Sequence, residues 1–452
     1  MEKFLSLGAH LSRIEIVKWV RELGASYFLL LEFVVVAFFH SIFFFGYENN
    51  AGSFSHVFST LGVALFFVLF AYGMDLYAQL DGFRVRRIFF YTLWNGLFCL
   101  LGQLVLFPRG TFNERYALDL TVFFAVTTFS ILLLRLWVKQ SGNAIALRYT
   151  FIGNSSCFDG LAGPARLQKK HHYQEVSLPA GSKSRSLLEL VDFFLEKKID
   201  IVVMSNEDLR KPFNTLLAEQ CLREQIVVMD DVEFYMRSLN RFPVDKVEKP
   251  WILQHIMERR ASHLDLCFRL VDIFVAGLAI ALLWPFLLLM GLAIKLTSRG
   301  PVFYVQERQG LSCRSFNMIK FRTMRLNSDT AFTRVNDPRV TMIGKVLRPL
   351  HLDELPQLWN ILKGDMSLIG PRPETLVFAK KMQEKIALYN LRYLVKPGLT
   401  GLAQVNAGYA ADTVDDTVEK LSHDLYYLQK RSIKLNLKIF LRTFFILGWK
   451  GR

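Results

Sequence analysis

The chain has 452 residues, with 55 Lys and Arg against 40 Asp and Glu, a formal net charge of +15, and a 52% hydrophobic share that includes 40 Phe. That length exceeds one ordinary domain, and the apolar share with a mean hydropathy of +0.25 excludes a purely soluble or disordered chain and points to membrane segments. The basic balance suits anionic partners such as phospholipid headgroups or nucleotide phosphates, and five scattered cysteines (Cys99, Cys157, Cys221, Cys267, Cys313) lack metal-ligand or disulfide spacing and read as reduced and cytosol-facing.

Four apolar stretches come first, near Tyr27–Phe45, Val57–Ala78, Ile88–Phe107 and Ala117–Val138. Each is long enough to cross ~30 Å of hydrocarbon at about 1.5 Å per residue. No short apolar run ending in a small-residue cleavage site precedes them, so a cleaved signal peptide is not expected. Lys3, Arg13, Lys18 and Arg21 stand before the first span, whereas the first loop, GYENNAGSFSH, has no Lys or Arg. Arg84, Arg86 and Arg87 fill the second loop, and Lys139 and Arg148 follow the fourth span. The positive-inside bias then puts both ends of a 1–145 unit in the cytoplasm, with only Arg109 and Arg115 of the third loop against it. Glu32 and His40, inside the first span, read as bundle-facing or interfacial groups.

Residues 146–250 alternate. RYTFIGNSS, IDIVVMS and QIVVMDD read as strands, LLELVDFFLEKK and FNTLLAEQCLRE as helices, which predicts a Rossmann-like α/β domain with a parallel sheet. The turn GNSSCFDG lacks the Gly-x-Gly-x-x-Gly spacing that cradles a dinucleotide phosphate, so a degenerate, regulatory or spacer domain is expected rather than a nucleotide binder.

A fifth apolar segment occupies 272–295 within a 251–452 domain. Pro285 lies at its middle, and cations bracket it: Arg259, Arg260 and Arg269 before, Lys295, Arg299 and Arg308 after. If both flanks prefer the cytoplasm, the segment enters and leaves by one face, which predicts a re-entrant helix broken at Pro285. In the tail, IKLNLKIFLRTFFILGW sets Lys434, Lys438 and Arg442 four residues apart, as in a helix lying among inner-leaflet phospholipid headgroups.

Between these two membrane contacts stands HLDELPQLWN, 351–360. Its acids Asp353 and Glu354 fit the first turn of a short helix, where Pro356 is also tolerated. The neighbouring motifs give them more to do. FNMIKFRTMR puts Lys320 and Arg322 on one face of a strand, Arg348 stands five residues before Asp353, and GPRP holds Arg372 between Pro371 and Pro373, which restrict its aim. KPGLTGLAQV reads as a further Gly/Pro loop followed by a strand-like run. Several cations around two acids suit a diphosphate ester. One carboxylate could attack phosphorus while the other holds Mg²⁺, an ion that favours one or two carboxylates plus substrate phosphates.

Residues from about 263 to 452 resemble the bacterial sugar transferase family, the polyprenyl-phosphate hexose-1-phosphate transferases, through SRGPVFYVQERQG, MIKFRTM, LDELPQLWNILKGDMSLIGPRPE and VKPGLTGLAQV. With the four spans and the α/β domain the chain is similar to the large, exopolysaccharide-initiating branch. The resemblance implies a membrane protein of α plus α/β class: a four-helix transmembrane bundle, a Rossmann-like middle domain and a C-terminal catalytic domain on the cytoplasmic face of the bacterial inner membrane. It implies transfer of a sugar 1-phosphate from a UDP-sugar to undecaprenyl phosphate, with UMP released. Asp353 would carry a covalent phospho-sugar, Glu354 would take the Mg²⁺ role, and Lys320, Arg348 and Arg372 would face phosphate or nucleotide. Trp284-Pro285 replaces the family's usual Ser-Pro, Asn436 stands where Asp is common, and His351 stands where Ser or another polar residue is common.

Two other classes compete. A non-catalytic scaffold or regulator of polysaccharide assembly would not need the intact acid pair. A metal-dependent diphosphate hydrolase would give free sugar phosphate without a lipid-linked product. Nucleic-acid binding lacks any recognition motif. The sequence leaves the sugar and the oligomeric state open, with a homodimer as the candidate assembly.

Overall fold

A computed structural model describes residues 147–153, 173–178, 186–244, 246–247, 262–325, 337–406 and 413–449, together with a few positions between 34 and 133. Apart from those few positions, the four N-terminal spans, with Glu32 and His40, lie outside the described residues. The chain divides into two compact units, Met1–Leu239 and Asn240–Arg452.

In the first unit, β1 (Leu147–Ile152), β2 (Tyr173–Glu175), β3 (Ile201–Met204) and β4 (Val227–Asp230) form a parallel sheet in the order β2-β1-β3-β4. The pairing register sets Tyr149 opposite Ile201 and Ile201 opposite Val227. Every residue of β3 is buried, as expected of a central parallel strand covered on both faces. Helices α1 (Leu187–Glu196), the short α2 (Asn206–Leu209), α3 (Pro212–Arg223) and α4 (Asp231–Leu239) supply the cover. Ser186 caps α1 by accepting from the Glu189 amide, and the helix turns Leu190, Val191 and Phe194 toward Val202, Met204, Leu217 and Cys221. Phe234 of α4 packs on Tyr149, with ring centroids 4.8 Å apart. The strands and both long helices fall in the segments read from sequence. Strand β2 was not anticipated, because three residues carry too little periodicity to register.

The first helix described in the second unit is α5 (Ser262–Thr297), 36 residues long with Pro285 inside it. Among the described residues it is the one helix long and apolar enough to cross a membrane, with a mean hydropathy of 2.6 over its best window. The sequence reading expected a break at Pro285, yet helical structure runs through it. A proline removes one backbone donor, and the Leu- and Ala-rich turns on either side sustain the helix across that single loss.

Three polar side chains at helical spacing tie one face of α5 to the rest of the unit. Asp265 pairs with Arg431. Arg269 donates Nη1 and Nη2 to the Ile361 and Leu362 carbonyls at 2.5 and 2.6 Å. Asp272 Oδ1 accepts from Ser367 Oγ and the Leu368 amide at 3.1 and 2.8 Å. Elsewhere α5 leaves Phe274, Leu278, Leu282, Trp284, Leu289 and Leu296 exposed, an apolar surface far larger than a water-soluble helix presents.

An antiparallel hairpin follows, β5 (Phe303–Gln309) and β6 (Ser315–Phe321), then α6 (Gly344–Leu347), a 3₁₀ turn (Leu352–Glu354), α7 (Gln357–Lys363) and β7 (Ser367–Ile369). Next come α8 (Leu376–Lys385), a second 3₁₀ stretch (Tyr389–Leu394), β8 (Gly398–Thr400), α9 (Leu402–Asn406), α10 (Val414–Lys430) and α11 (Ile433–Trp449). Strand β7 pairs parallel with β8. One apolar cluster joins Ala276 of α5 to Met318, Leu358, Ile361, Leu368, Tyr427 and Ile439. A second joins Met290 and Ile294 to Phe321 and Leu347. Leu355 packs against both clusters. Both halves of α5 are therefore built into one folded unit.

Two local expectations change. The run after KPGLTG is the short helix α9 rather than a strand. Five residues are too few for periodicity to separate the two. Helix α11 buries Asn436 and Ile439 in the core and leaves Ile433, Lys434 and Leu437 outward, so it serves as a core helix on one face and presents a mixed basic-apolar face on the other.

Candidate active site

Asp353 and Glu354 precede α7 rather than open it. They lie in the 3₁₀ turn, and Pro356 is the residue just before the helix. His351 starts the turn with φ +54°, a left-handed conformation that His tolerates better than most residues and that reverses the chain after Arg348. Asn360 fastens α7 to the hairpin. Its Oδ1 accepts from the Ile319 amide at 3.1 Å and its Nδ2 donates to the Asn317 carbonyl at 2.7 Å. The next residue on β6, Lys320, is thereby set against the turn.

Lys320 Nζ donates to Glu354 Oε1 at 2.7 Å. From the other side, Arg372 Nη2 donates to the same oxygen at 2.5 Å and Nη1 to Oε2 at 3.3 Å. Burial alone would raise the Glu354 pKa, but the charges and hydrogen bonds of Arg372 and Lys320 outweigh it and hold the carboxyl well below the usual range. Burial lowers the Lys320 pKa, opposed by Glu354. Asp353 receives no such grip. Burial, then the neighbouring charge of Glu354, push its pKa up to about 6, against the pull of Lys320 and Arg348. One carboxylate is locked as an anion by two cations, and its neighbour titrates close to neutrality.

The predicted cations divide. Lys320 and Arg372 converge on Glu354, and Arg348 acts on Asp353 through its charge. Arg322 turns elsewhere, with Nη2 donating to the Ser298 carbonyl and Oγ at 2.8 and 2.7 Å, at the end of α5. Strand β6 ends at Phe321, so the face shared by Lys320 and Arg322 in an ideal strand is lost one residue too early. Pro371 and Pro373 flank Arg372 as expected, and the loop is tied by the Gly398 amide, which donates to the Pro371 carbonyl at 2.9 Å. Arg308, read from sequence only as a cation flanking the apolar segment, and Arg392, which sequence reading passed over, donate to the Pro373 and Arg372 carbonyls.

The carboxylate inventory bears on a divalent ion. No group of three or more His, Cys, Asp or Glu able to hold a metal occurs among the described residues. A hard cation that takes one or two carboxylates and completes its shell with water and substrate phosphate needs no more than this pair offers. Glu354 is the ionised member, and both of its oxygens are engaged by Lys320 and Arg372. A carboxylate keeps further lone pairs beyond those contacts, so Glu354 is the residue of the pair that could hold such an ion.

Comparison with known proteins follows the same stretch of chain. The model of the family described as bacterial sugar transferase matches residues 264–450. A UDP-N-acetylgalactosamine-undecaprenyl-phosphate N-acetylgalactosaminephosphotransferase from Aeromonas hydrophila is 47% identical over 176 residues, which cover 38% of this chain and 41% of that protein. A UDP-glucose:undecaprenyl-phosphate glucose-1-phosphate transferase from Caulobacter vibrioides is 44% identical over 183 residues, 40% of this chain and 68% of that protein. The exopolysaccharide production protein PSS of Rhizobium leguminosarum bv. phaseoli is 39% identical over 183 residues, and 92% of its length is covered. The chain thus spans under half of the Aeromonas relative and about two thirds or more of the other two.

Proposed function

This chain belongs to the bacterial sugar transferase family, and from that premise we propose that it transfers a sugar 1-phosphate from a UDP-sugar to undecaprenyl phosphate, an initiating step of exopolysaccharide or related glycan synthesis. The observation that carries this reading is the split within the acid pair. Glu354 is a clamped anion, while Asp353 is a half-buried, partly desolvated carboxylate whose pKa is pushed up to about 6. A poorly solvated carboxylate is a competent nucleophile toward phosphorus.

In the first step a carboxylate oxygen of Asp353 attacks the sugar-bearing phosphorus of the donor. The phosphoanhydride bond breaks, and UMP departs with the bridging oxygen. In the second, a phosphate oxygen of undecaprenyl phosphate attacks the same phosphorus, breaks the acyl–phosphate bond and restores the Asp353 carboxylate. Lys320 and Arg372, held on Glu354, neutralise the diphosphate oxygens beside it, where charge accumulates, and Arg348 faces the attacked group. Mg²⁺, when bound, supplies further neutralisation of the diphosphate, with Glu354 as the residue that would hold it. A covalent intermediate suits the two reactants, because one is water-soluble and the other is anchored in lipid.

Location follows from α5. Its exposed apolar face rests in the inner leaflet of a bacterial cytoplasmic membrane, with both flanks of the helix on the cytoplasmic side. The residue of α11 that faces outward with a charge, Lys434, meets phospholipid headgroups. Both halves of α5 pack on one folded unit, which supports a shared side for both flanks. The N-terminal spans, the Rossmann-like reading of the parallel sheet and a homodimer complete the proposed architecture.

Purified protein supplied with undecaprenyl phosphate, Mg²⁺ and radiolabelled UDP-glucose or UDP-N-acetylgalactosamine should release UMP and form a lipid-linked sugar diphosphate. Asp353→Asn should abolish both. Free sugar phosphate without lipid product would instead mean hydrolysis, and full activity in Asp353→Asn would remove the assigned nucleophile.

A further inference from the structure

The Pro371-Arg372-Pro373 loop aims the guanidinium that clamps Glu354, yet its two prolines leave it short of amide donors. It is held instead by its carbonyls. The Pro371 carbonyl accepts from the Gly398 amide at 2.9 Å, and the Glu374 carbonyl accepts from the Gln309 amide at 3.0 Å. Between them the donors are two arginine side chains. Arg392 Nη2 donates to the Arg372 carbonyl at 3.1 Å, and Arg308 Nη1 donates to the Pro373 carbonyl at 3.2 Å.

Arg392 is 4% exposed, and its surroundings serve to keep it charged and fixed. Its Nη2 lies 2.8 Å from Asp424 Oδ2 on α10, and Nη1 donates to the Tyr389 hydroxyl at 2.9 Å and lies 3.9 Å from Glu374 Oε1. The rings of Tyr389 and Tyr393 lie 5.2 and 5.8 Å from the guanidinium carbon. Arg308 has its own brace, Nη2 donating to Gln306 Oε1 at 2.7 Å. Neither side chain hydrogen-bonds the acid pair. A buried guanidinium costs several kcal/mol to desolvate, and an apolar core would not need one here.

We propose that Arg392 and Arg308 are positioning residues. They grip consecutive carbonyls of a loop that has no amides to offer at its prolines, and so keep the Arg372 guanidinium on Glu354. Asp424 acts through Arg392. This inference rests on the acid pair being the reactive centre.

The test is a double-mutant cycle on the full-length chain in lipid nanodiscs, with undecaprenyl phosphate and whichever of UDP-glucose or UDP-N-acetylgalactosamine gives turnover. Arg308→Gln, Arg308→Lys and the paired Arg392→Gln/Asp424→Asn, which leaves no buried charge unmatched, are each made alone and with Arg372→Ala. A positioning role predicts a fall in kcat/KM of about 10- to 100-fold for Arg308→Gln, with Tm within a few degrees of wild type. It predicts substantial recovery in Arg308→Lys, which keeps one donor. It also predicts that the loss shrinks to about two- or threefold when Arg372 is already alanine, because residues acting through one group are not additive. Losses that add in the Arg372→Ala background, or that track Tm across the set, overturn the proposal. Asp353→Asn run in parallel separates the two ideas. If it is active, the reading of the acid pair falls. If it is inactive while the arginine losses add, only the positioning role falls.

Discussion

Asp353 and Glu354 are neighbours in the chain and opposites in their titration. Glu354 is held ionised by Arg372 and Lys320, while Asp353 is pushed up to about 6 by burial and by the charge beside it. If Asp353 is the proposed nucleophile it must attack in its ionised form, so kcat/KM should be flat above pH 7, where roughly nine-tenths of Asp353 is charged, and should fall tenfold per pH unit below about 6. A pH–rate profile from 5 to 8 measures this. A profile unchanged down to pH 5 would remove Asp353 from the rate equation.

Asp353→Asn should cost more than 1,000-fold in turnover and yet stabilise the fold at neutral pH. The folded pKa of about 6 lies above the ordinary 3.8, so the folded state holds its proton more tightly. The stability associated with that proton is fully present below about pH 4 and is lost as pH rises through 6. At pH 7.5 the ionised side chain therefore costs on the order of 3 kcal/mol, an upper figure, which asparagine relieves. Thermal melts of both proteins at pH 7.5 and 4 should show a higher Tm for the variant at the first pH and little difference at the second.

Glu354→Gln should move the other way. Its side chain is 12% exposed and anchors two cations, so neutralising it strands Lys320 and Arg372. The expected cost is about 3–5 kcal/mol, read as a lowered Tm above pH 5. The depressed pKa of Glu354 means that its contribution is present above the ordinary value of 4.5 and fades as pH falls, so the difference from wild type should narrow in acid.

Gly370→Ala tests how tightly the loop before Arg372 is packed. A Cβ there would lie 2.4 Å from the Lys396 carbonyl oxygen and 2.9 Å from the Gly398 amide nitrogen, both backbone atoms that cannot swing aside. The β7–β8 pair must part, with a loss of roughly 2 kcal/mol or more and a displaced Arg372. Gly277→Ala is the control. Its Cβ meets nothing within 4 Å, so the helix should gain up to about 1 kcal/mol and keep its activity.

Two native cysteines report the topology of α5. Cys267 and Cys313, both exposed, stand on either side of its apolar stretch. An impermeant maleimide should label both in inverted inner-membrane vesicles and neither in intact spheroplasts. Labelling of one cysteine from each side would mean that α5 crosses the bilayer.

Much of this arrangement is legible in the amino-acid order. Strong periodicity places α1, α3 and α11, and continuous apolar runs place β3 and β4. Lys320 and Arg372 could be linked to the acid pair because each lies in a short motif with restricted geometry. Arg322 misleads for a local reason: the strand that would have aligned it ends at Phe321. Arg392 is invisible beforehand, since a single arginine in YNLRYL announces only a local contact with its tyrosines, and its distant targets are a backbone carbonyl and an acid 32 residues away. Carbonyl acceptors carry no side-chain signature, so a loop held by its carbonyls leaves almost no trace in sequence.

Leu355 adjoins the acid pair and wedges against clusters containing both halves of α5. With α5 seated in the leaflet as proposed, the depth at which that helix floats sets the height of the acid pair above the acyl chains, as a keel sets a boat's waterline. On the proposed two-step reaction, bilayer thickness becomes a kinetic variable: shortening or lengthening the acyl chains should raise or lower Asp353 relative to the acceptor headgroup and change the second half-reaction while leaving the first untouched.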